Sequence, residues 1–357
     1  MNTVGDELRN RPAASLLLGM RLDDEWDVVQ QIPRPPGGTG GHFSYGYVVR
    51  SATRGEAFLK ALDYSDALHD PQPAMKLQSM TAAFLFEANL VELCGQRRMT
   101  HVVRAIGRGT VLVPGCAIPT VEYLIFELAD GDVRTYLHVE NQFDLAWVLR
   151  TLHHVATGLD QLHRAQVAHQ DLKPSNVLTF QYGRNAKVAD LGRASVKGQA
   201  ALHDDNRIAG DWGYAPPELL YGALSVDWGI RRQACDMYHF GSLIAFFFAN
   251  ASVTPLLMQR LQPEHRWNAW GGSYEDVLPY IQQAFASILV DIQAEFPMQM
   301  SAQLIRMVRE LCEPDPAKRG HPRNRIGHSN PFSLERYVSD LNALARTAET
   351  QLKKRIS

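Results

Sequence analysis

The sequence predicts an α+β chain of two unequal lobes, a small β-rich one followed by a larger, mainly helical one. Three observations predict it. At 357 residues the chain is too long for one small core. Short apolar runs of strand length crowd into its first third. Long apolar periodicities of helix type follow them. Hydrophobic residues make up 45%, charged residues 21%, and the formal net charge is −2. That balance is ordinary for a globular chain and gives no basic surface for nucleic acid and no cationic face for a membrane. The longest apolar runs, Ala13 to Leu18 and Leu243 to Phe248, fall far short of the ~18 residues a spanning helix needs. Asp6 and Glu7 near the start argue against a signal peptide. Cys94, Cys116, Cys235 and Cys312 are scattered singles without zinc spacing, as expected of buried thiols in a reducing cytoplasm.

Taken in order, residues 1 to about 22 read as a flexible or peripheral extension, and the first lobe begins near residue 26. Trp26 to Ile32 reads as a strand and runs into a Gly/Pro-rich stretch containing Gly38, Gly40 and Gly41. Glycines there would let backbone N–H groups approach phosphates, although such clusters alone are often plain linkers. Tyr47 to Arg50 and Ala57 to Lys60, joined by a turn at Arg54-Gly55, form a hairpin. Lys60 stands in an otherwise apolar strand, where an unpaired ammonium is costly. Asp63 to Gln78 is polar and reads as a connector. Met80 to Gln96 has helical periodicity, with Phe84, Ala88 and Val91 on one stripe and Glu87 among them. Glu87 is the natural partner of Lys60; the alternative is a solvated Glu87 with Glu92, one turn on, making the pair. Val111 to Val113 and Val121 to Phe126 are further strands, followed by Glu127, Leu128 and Ala129.

In the second lobe, Leu145 to His163 is an amphipathic helix, and its histidines read as packing or surface residues. Then comes the stretch His169-Gln170-Asp171-Leu172-Lys173-Pro174-Ser175-Asn176, with Ala189-Asp190-Leu191-Gly192 close behind. Pro174 breaks any helix and Ser175-Asn176 favour a turn, so the stretch is a loop between short strands, a rigid mount for chemistry. Asp171 can accept a proton from a hydroxyl, Lys173 can neutralise charge on a moving phosphoryl group, and Asn176 and Asp190 are hard oxygen ligands for Mg²⁺. A merely solvated turn would account for either piece alone, but not for both at this spacing.

These two motifs resemble the catalytic and magnesium-binding loops of the eukaryotic-like protein kinases of serine/threonine type. The resemblance runs over about residues 26 to 320 and implies their bilobal fold, with lobes divided near residue 129. It also implies ATP with Mg²⁺ as the cofactors and a protein as the substrate partner. Lys60 is then similar to the lysine that grips the α- and β-phosphates. Glu127, Leu128 and Ala129 resemble the hinge that binds adenine, Phe126 its gatekeeper, and Leu178 another nucleotide contact. The segment from Asp190 to Glu218 corresponds to the activation segment. Glu218 is expected to pair with Arg319 as a structural ion pair, and Asp236 to cap the catalytic loop. Residues 250 to 298 exceed the minimal fold and read as an insertion. Helical patterns cover about Tyr274 to Glu295 and Ser301 to Leu311, and a last helix, Ser333 to Lys353, could pack on either lobe. The divergent first lobe suggests a bacterial member.

The departures matter as much. Gln170 stands where the family usually has an arginine that docks a phosphorylated activation segment, and that segment contains no Thr and only Ser195. Activity without required phosphorylation of the segment is therefore expected. Asp211 replaces a common threonine and would either repel Asp171 or pair with Lys173. Phe58 replaces a small residue above the adenine ring and would crowd it unless the strand register differs. Ser44 takes the place of the third loop glycine. A pseudokinase that binds without transfer is the alternative to an active enzyme. A small-molecule kinase shares the Asp…Asn loop, but Pro216-Pro217-Glu218 and Asp315…Arg319 tell against it.

Overall fold

The computed structural model describes residues 11–33, 44–140, 144–200, 203–326 and 330–356. The chain divides into two units, residues 1–98 with 103–129, and residues 99–102 with 130–357.

The first unit is built on a six-stranded antiparallel sheet ordered β1-β2-β3-β4-β6-β5. Its strands are β1 (Arg21–Leu22), β2 (Trp26–Ile32), β3 (Ser44–Ser51), β4 (Gly55–Leu62), β5 (Ala105–Leu112) and β6 (Thr120–Glu127), with helix α1 (Pro73–Gln96) inserted after β4. The alternation along β4 sets its two faces. Ala57, Leu59 and Ala61 are fully buried beside Trp26, Tyr47 and Tyr123, which leaves Phe58 and Lys60 on the opposite face. The β3–β4 turn uses Gly55 at φ +74°, as Arg54-Gly55 predicted.

Two expectations are corrected here. From residue 11 the N-terminal segment is not peripheral: Ala14, Leu17 and Leu22 enter the core, and the Tyr47 hydroxyl donates to the Ala14 carbonyl (2.7 Å). Their apolar side chains outweigh the polar neighbours that suggested an extension. The connector from Asp63 to Gln78 is partly helix, because α1 starts at Pro73 rather than Met80. Proline at the first helical position gives up only an N–H that has no intrahelical partner.

The second unit holds one large core. Strands β7 (Gly131–Asp132), β9 (Val177–Phe180) and β10 (Asn185–Val188) form a small sheet, and β8 (Val167–Ala168) pairs with β11 (Ser195–Val196). The helices are α2 (Val133–Glu140), α3 (Leu145–Arg164), α4 (Pro217–Leu220), α5 (Ala234–Ala249), α6 (Val253–Arg260), α7 (Tyr274–Gln293), α8 (Ser301–Leu311) and α9 (Glu335–Ile356). Asp144 caps α3 by accepting from the N–H groups of Ala146 and Trp147. Helix α5 is buried on nearly every side, as its apolar run implied. Residues 250 to 298 contribute to the central core of this unit through Val253, Leu257, Val277, Ile281, Phe285 and Ile288. Helix α9 packs on α3, burying Tyr337, Leu341 and Ala345, with Arg150 bonded to Glu349 (2.8 Å) and Asn342 (2.9 Å). Among the described residues no single helix is long and apolar enough to cross a membrane.

Candidate active site

Each unit carries one cluster of the residues singled out above. In the first, Lys60 from β4 meets Glu87 from α1. The Lys60 Nζ lies 2.8 and 2.9 Å from the two Glu87 carboxylate oxygens, and Glu87 is buried. Glu92, the other candidate, lies instead 3.8 Å from Arg108 on the surface. Phe58 is two residues from Lys60 on the same strand face, with its ring centroid 6.5 Å from that of Phe126. The ring sits against Gly46, where any Cβ would come within 2.9 Å of it. A glycine at this point of β3 is what makes room for the phenyl group. Ser44 lies within β3, opposite Leu62. Gly38, Gly40 and Gly41 fall outside the described residues. Glu127 ends β6, where its carboxylate accepts from the Arg104 N–H (2.8 Å), and Leu128 and Ala129 follow it half-buried.

In the second unit the stretch His169 to Asn176 is suspended from α5. The fully buried Asp236 accepts from the N–H groups of His169 (2.7 Å) and Gln170 (2.8 Å) and bonds the His163 Nε2 (2.9 Å). Burial alone would raise the Asp236 carboxyl, but His163 and His169 hold it below the ordinary carboxylate range. His169 bonds the Ala189 carbonyl through Nε2 (2.8 Å) and accepts the Asp171 N–H at Nδ1 (3.2 Å). It thereby ties the two motifs together. Gln170 and Asp190 both adopt left-handed backbone, at φ +68° and +63°. Such conformations persist in non-glycine residues only where the surroundings fix them.

Asp171, Lys173 and Asn176 are all buried and in contact. Asn176 Nδ2 donates to the Asp171 carbonyl (2.8 Å) and to its Oδ2 (3.2 Å). Lys173 Nζ lies 3.2 Å from Asp171 Oδ2 and 3.3 Å from Asp211 Oδ2, and the Asp211 N–H donates to Asp171 Oδ1 (2.8 Å). The open question about Asp211 is thus answered: its acid shares Lys173 with Asp171 instead of facing it unscreened. Gly210 lets the segment come this close, since a Cβ there would stand 2.5 Å from Asp171 Oδ1. Burial pushes the Asp171 carboxyl above its usual range, against the pull of Lys173. Leu178, on β9, lies opposite Asp132.

The match to the model of the protein kinase domain covers residues 74–329, well over half of the chain. The chain belongs to the protein kinase family. Similar proteins include LysM domain receptor-like kinase 10 of Oryza sativa subsp. japonica, 25% identical over 72% of this chain and 41% of that protein. L-type lectin-domain containing receptor kinase V.7 of Arabidopsis thaliana is 38% identical over 48% of this chain and 24% of its own. Serine/threonine-protein kinase PrkC of Bacillus subtilis is 23% identical over 50% and 26%. The chain spans less than half the length of each of these relatives.

Three features of this kinase domain are set by distant residues. Arg319 is fully buried and forks onto Glu218 through both terminal nitrogens (2.7 and 2.9 Å). His163, read from sequence as a packing or surface residue, is the imidazole that steadies Asp236; its signal was a histidine at the end of α3 close before His169. Arg232 and Asp204 gave no such signal. Arg232 Nη1 donates to Gln170 Oε1 (3.2 Å), and its Nη2 donates to Asp204 Oδ1 (2.8 Å).

Proposed function

We propose that this chain is an active protein serine/threonine kinase, moving the γ-phosphoryl group of ATP to a hydroxyl of a protein substrate. The observation that carries the reading is the Asp171 carboxylate. It is buried and raised, yet steered by three separate donors, Asn176, Lys173 and the Asp211 N–H. A base used for proton transfer needs a fixed direction and a basicity above that of a free carboxylate. In this reading Asp171 orients the substrate hydroxyl and takes its proton. Lys173 stabilises the charge that spreads over the phosphoryl oxygens. Lys60, aligned by both oxygens of Glu87, grips the α- and β-phosphates. Gly38, Gly40 and Gly41 would contribute backbone N–H groups, and Glu127, Leu128, Ala129 and Leu178 contacts to the nucleoside.

The donors suit Mg²⁺. Asn176 spends its amide N–H groups on Asp171, so its Oδ1, which the Ser175 hydroxyl approaches at 3.5 Å, is the atom that would serve as a hard oxygen donor together with the Asp190 carboxylate. No group of three or more His, Cys, Asp or Glu among the described residues could hold a metal alone. Mg²⁺ is commonly held by one or two protein oxygens together with substrate phosphates. When bound, it would neutralise phosphate charge. Phosphorylation of the activation segment is not required in this reading: Ser195, the segment's one serine, is buried, and its Oγ bonds Asp204 (3.2 Å) and Trp228 (3.1 Å).

The test is phosphate incorporation into generic protein substrates with Mg-ATP, followed by mass spectrometry, with Asp171→Asn and Lys60→Met alongside. Phosphoserine or phosphothreonine in wild type alone is expected. The absence of phosphate in every sample, with ATP still raising the melting temperature, would replace the reading with a nucleotide-binding pseudokinase. Absence of ATP binding as well would point to Phe58, the ring packed against Gly46, as crowding the adenine.

A further inference from the structure

Gln170 lacks the charge that would anchor a phosphorylated segment, yet the segment is anchored. The anchor is Arg232, which lies within the π-helical turn Gly229–Gln233 just before α5. Its side chain is 3% exposed. One end of its guanidinium holds Gln170: Nη1 donates to Gln170 Oε1 (3.2 Å), while Gln170 Nε2 donates back to the Arg232 carbonyl (2.8 Å). Its other end holds the activation segment: Nη2 donates to the Asp204 carboxylate (2.8 Å) and to the Asp204 carbonyl (3.2 Å). Arg231 Nη2 adds a bond to that same carbonyl (2.6 Å). Asp204 Oδ1 also accepts from Ser195. A guanidinium this buried has to be compensated, and the carboxylate that compensates it belongs to the segment.

We propose that Asp204 and Arg232 form a permanent clamp that docks the activation segment on the catalytic loop, in the role a phosphate would otherwise fill. Arg232 is then a positioning residue for Asp171, acting through Gln170. The catalytic consequence rests on the kinase reading; the docking does not. The neighbouring residue gives a control within the segment, since Asp205 carries the same charge but is exposed.

The experiment uses the full chain with Asp204→Asn, Asp204→Glu and Asp205→Asn. Hydrogen–deuterium exchange is followed over residues 193–210, with α9 as the reference, without nucleotide. Asp204→Asn removes one charge and should leave the fold intact, as unchanged α9 exchange would report. Exchange in the segment should rise about tenfold or more, the scale of one lost charge-assisted bond. Under Mg-ATP the same variant should lose roughly 10²-fold in kcat with little change in the KM for ATP, the scale of a misplaced catalytic group. Asp204→Glu should recover much of both, Asp205→Asn should match wild type, and phosphatase treatment should leave wild-type activity unchanged. Wild-type exchange and kcat in Asp204→Asn, or loss of activity on phosphatase treatment, would overturn the clamp. An inactive wild type whose segment still loosens in Asp204→Asn would overturn the kinase reading and leave the docking standing.

Discussion

Replacing Glu218 with glutamine tests the energetic core of the second unit. The Glu218 and Arg319 side chains are 4% and 0% exposed, so solvent screens neither. Glutamine keeps the shape of the glutamate and removes its charge. Arg319 then retains bonds to the carbonyls of Glu313 (2.9 Å) and Ala234 (3.0 Å) but loses the one anion that balances it. Breaking a buried pair from one side costs ~3–5 kcal/mol, because the remaining charge stays desolvated. Set against a typical total of about 5–15 kcal/mol, that is a large share. At about 2–4 °C per kcal/mol for a unit of this size, the melting temperature should fall by roughly 6–20 °C. The assay is urea unfolding followed by tryptophan fluorescence, where a lower midpoint at constant slope reports a stability change alone. Glu218→Leu with Arg319→Met, which removes both charges, should recover most of the loss. A Glu218→Gln variant within about 1 kcal/mol of wild type would refute the reasoning, since surface pairs are worth that much.

Two other outcomes follow from the same structure. His154, His101 and His239 are all held neutral, chiefly by burial, which pushes His154 down to about 3 and His239 to about 4. Their folded values lie below the unfolded value of about 6.5. The stability they contribute is therefore complete above pH ~6.5 and lost as pH falls from there toward 4 and 3. Urea midpoints measured from pH 7 to 4 should decline over that window, and less so in His154→Gln. Gly210→Ala should lower kcat by ~10²-fold, because the added methyl would meet Asp171 Oδ1 at 2.5 Å and displace the base. Circular dichroism should show its fold retained.

The features legible in the sequence were local, or forced by a local imbalance. Lys60 in an apolar strand demands an anion, and the periodicity of the next helix offers Glu87 on the right stripe, so a pair 27 residues apart could be read directly. His169 to Asn176 was legible because its chemistry is contiguous. Arg232 was not. Its residue type is ordinary, its partner Gln170 lies 62 residues away, and only the packing of α5 brings the two together. The lost arginine at position 170 was visible as a missing charge, but a replacement arriving from another element leaves no local trace. The destination of α9 was hidden for a related reason. Its apolar stripe required a partner, and nothing in its own residues named α3. The start of α1 at Pro73 carried a usable signal that the polar composition of the preceding connector obscured.

The charges around Asp171 show how the departures fit together. Asp211 adds a carboxylate next to Asp171, which is already buried, a placement that would cost stability if unmatched. The structure meets it with one cation, Lys173, whose side chain is 5% exposed and lies 3.2 and 3.3 Å from the two acids. The backbone of Asp211 meanwhile donates to the same carboxylate that its side chain could have opposed. The stretch from Asp190 to Glu218 is therefore fastened at two interior points by an aspartate to a buried cation, Asp211 to Lys173 and Asp204 to Arg232. Fixed carboxylates hold both places, so the charges that pair around Asp171 are ones the sequence itself carries.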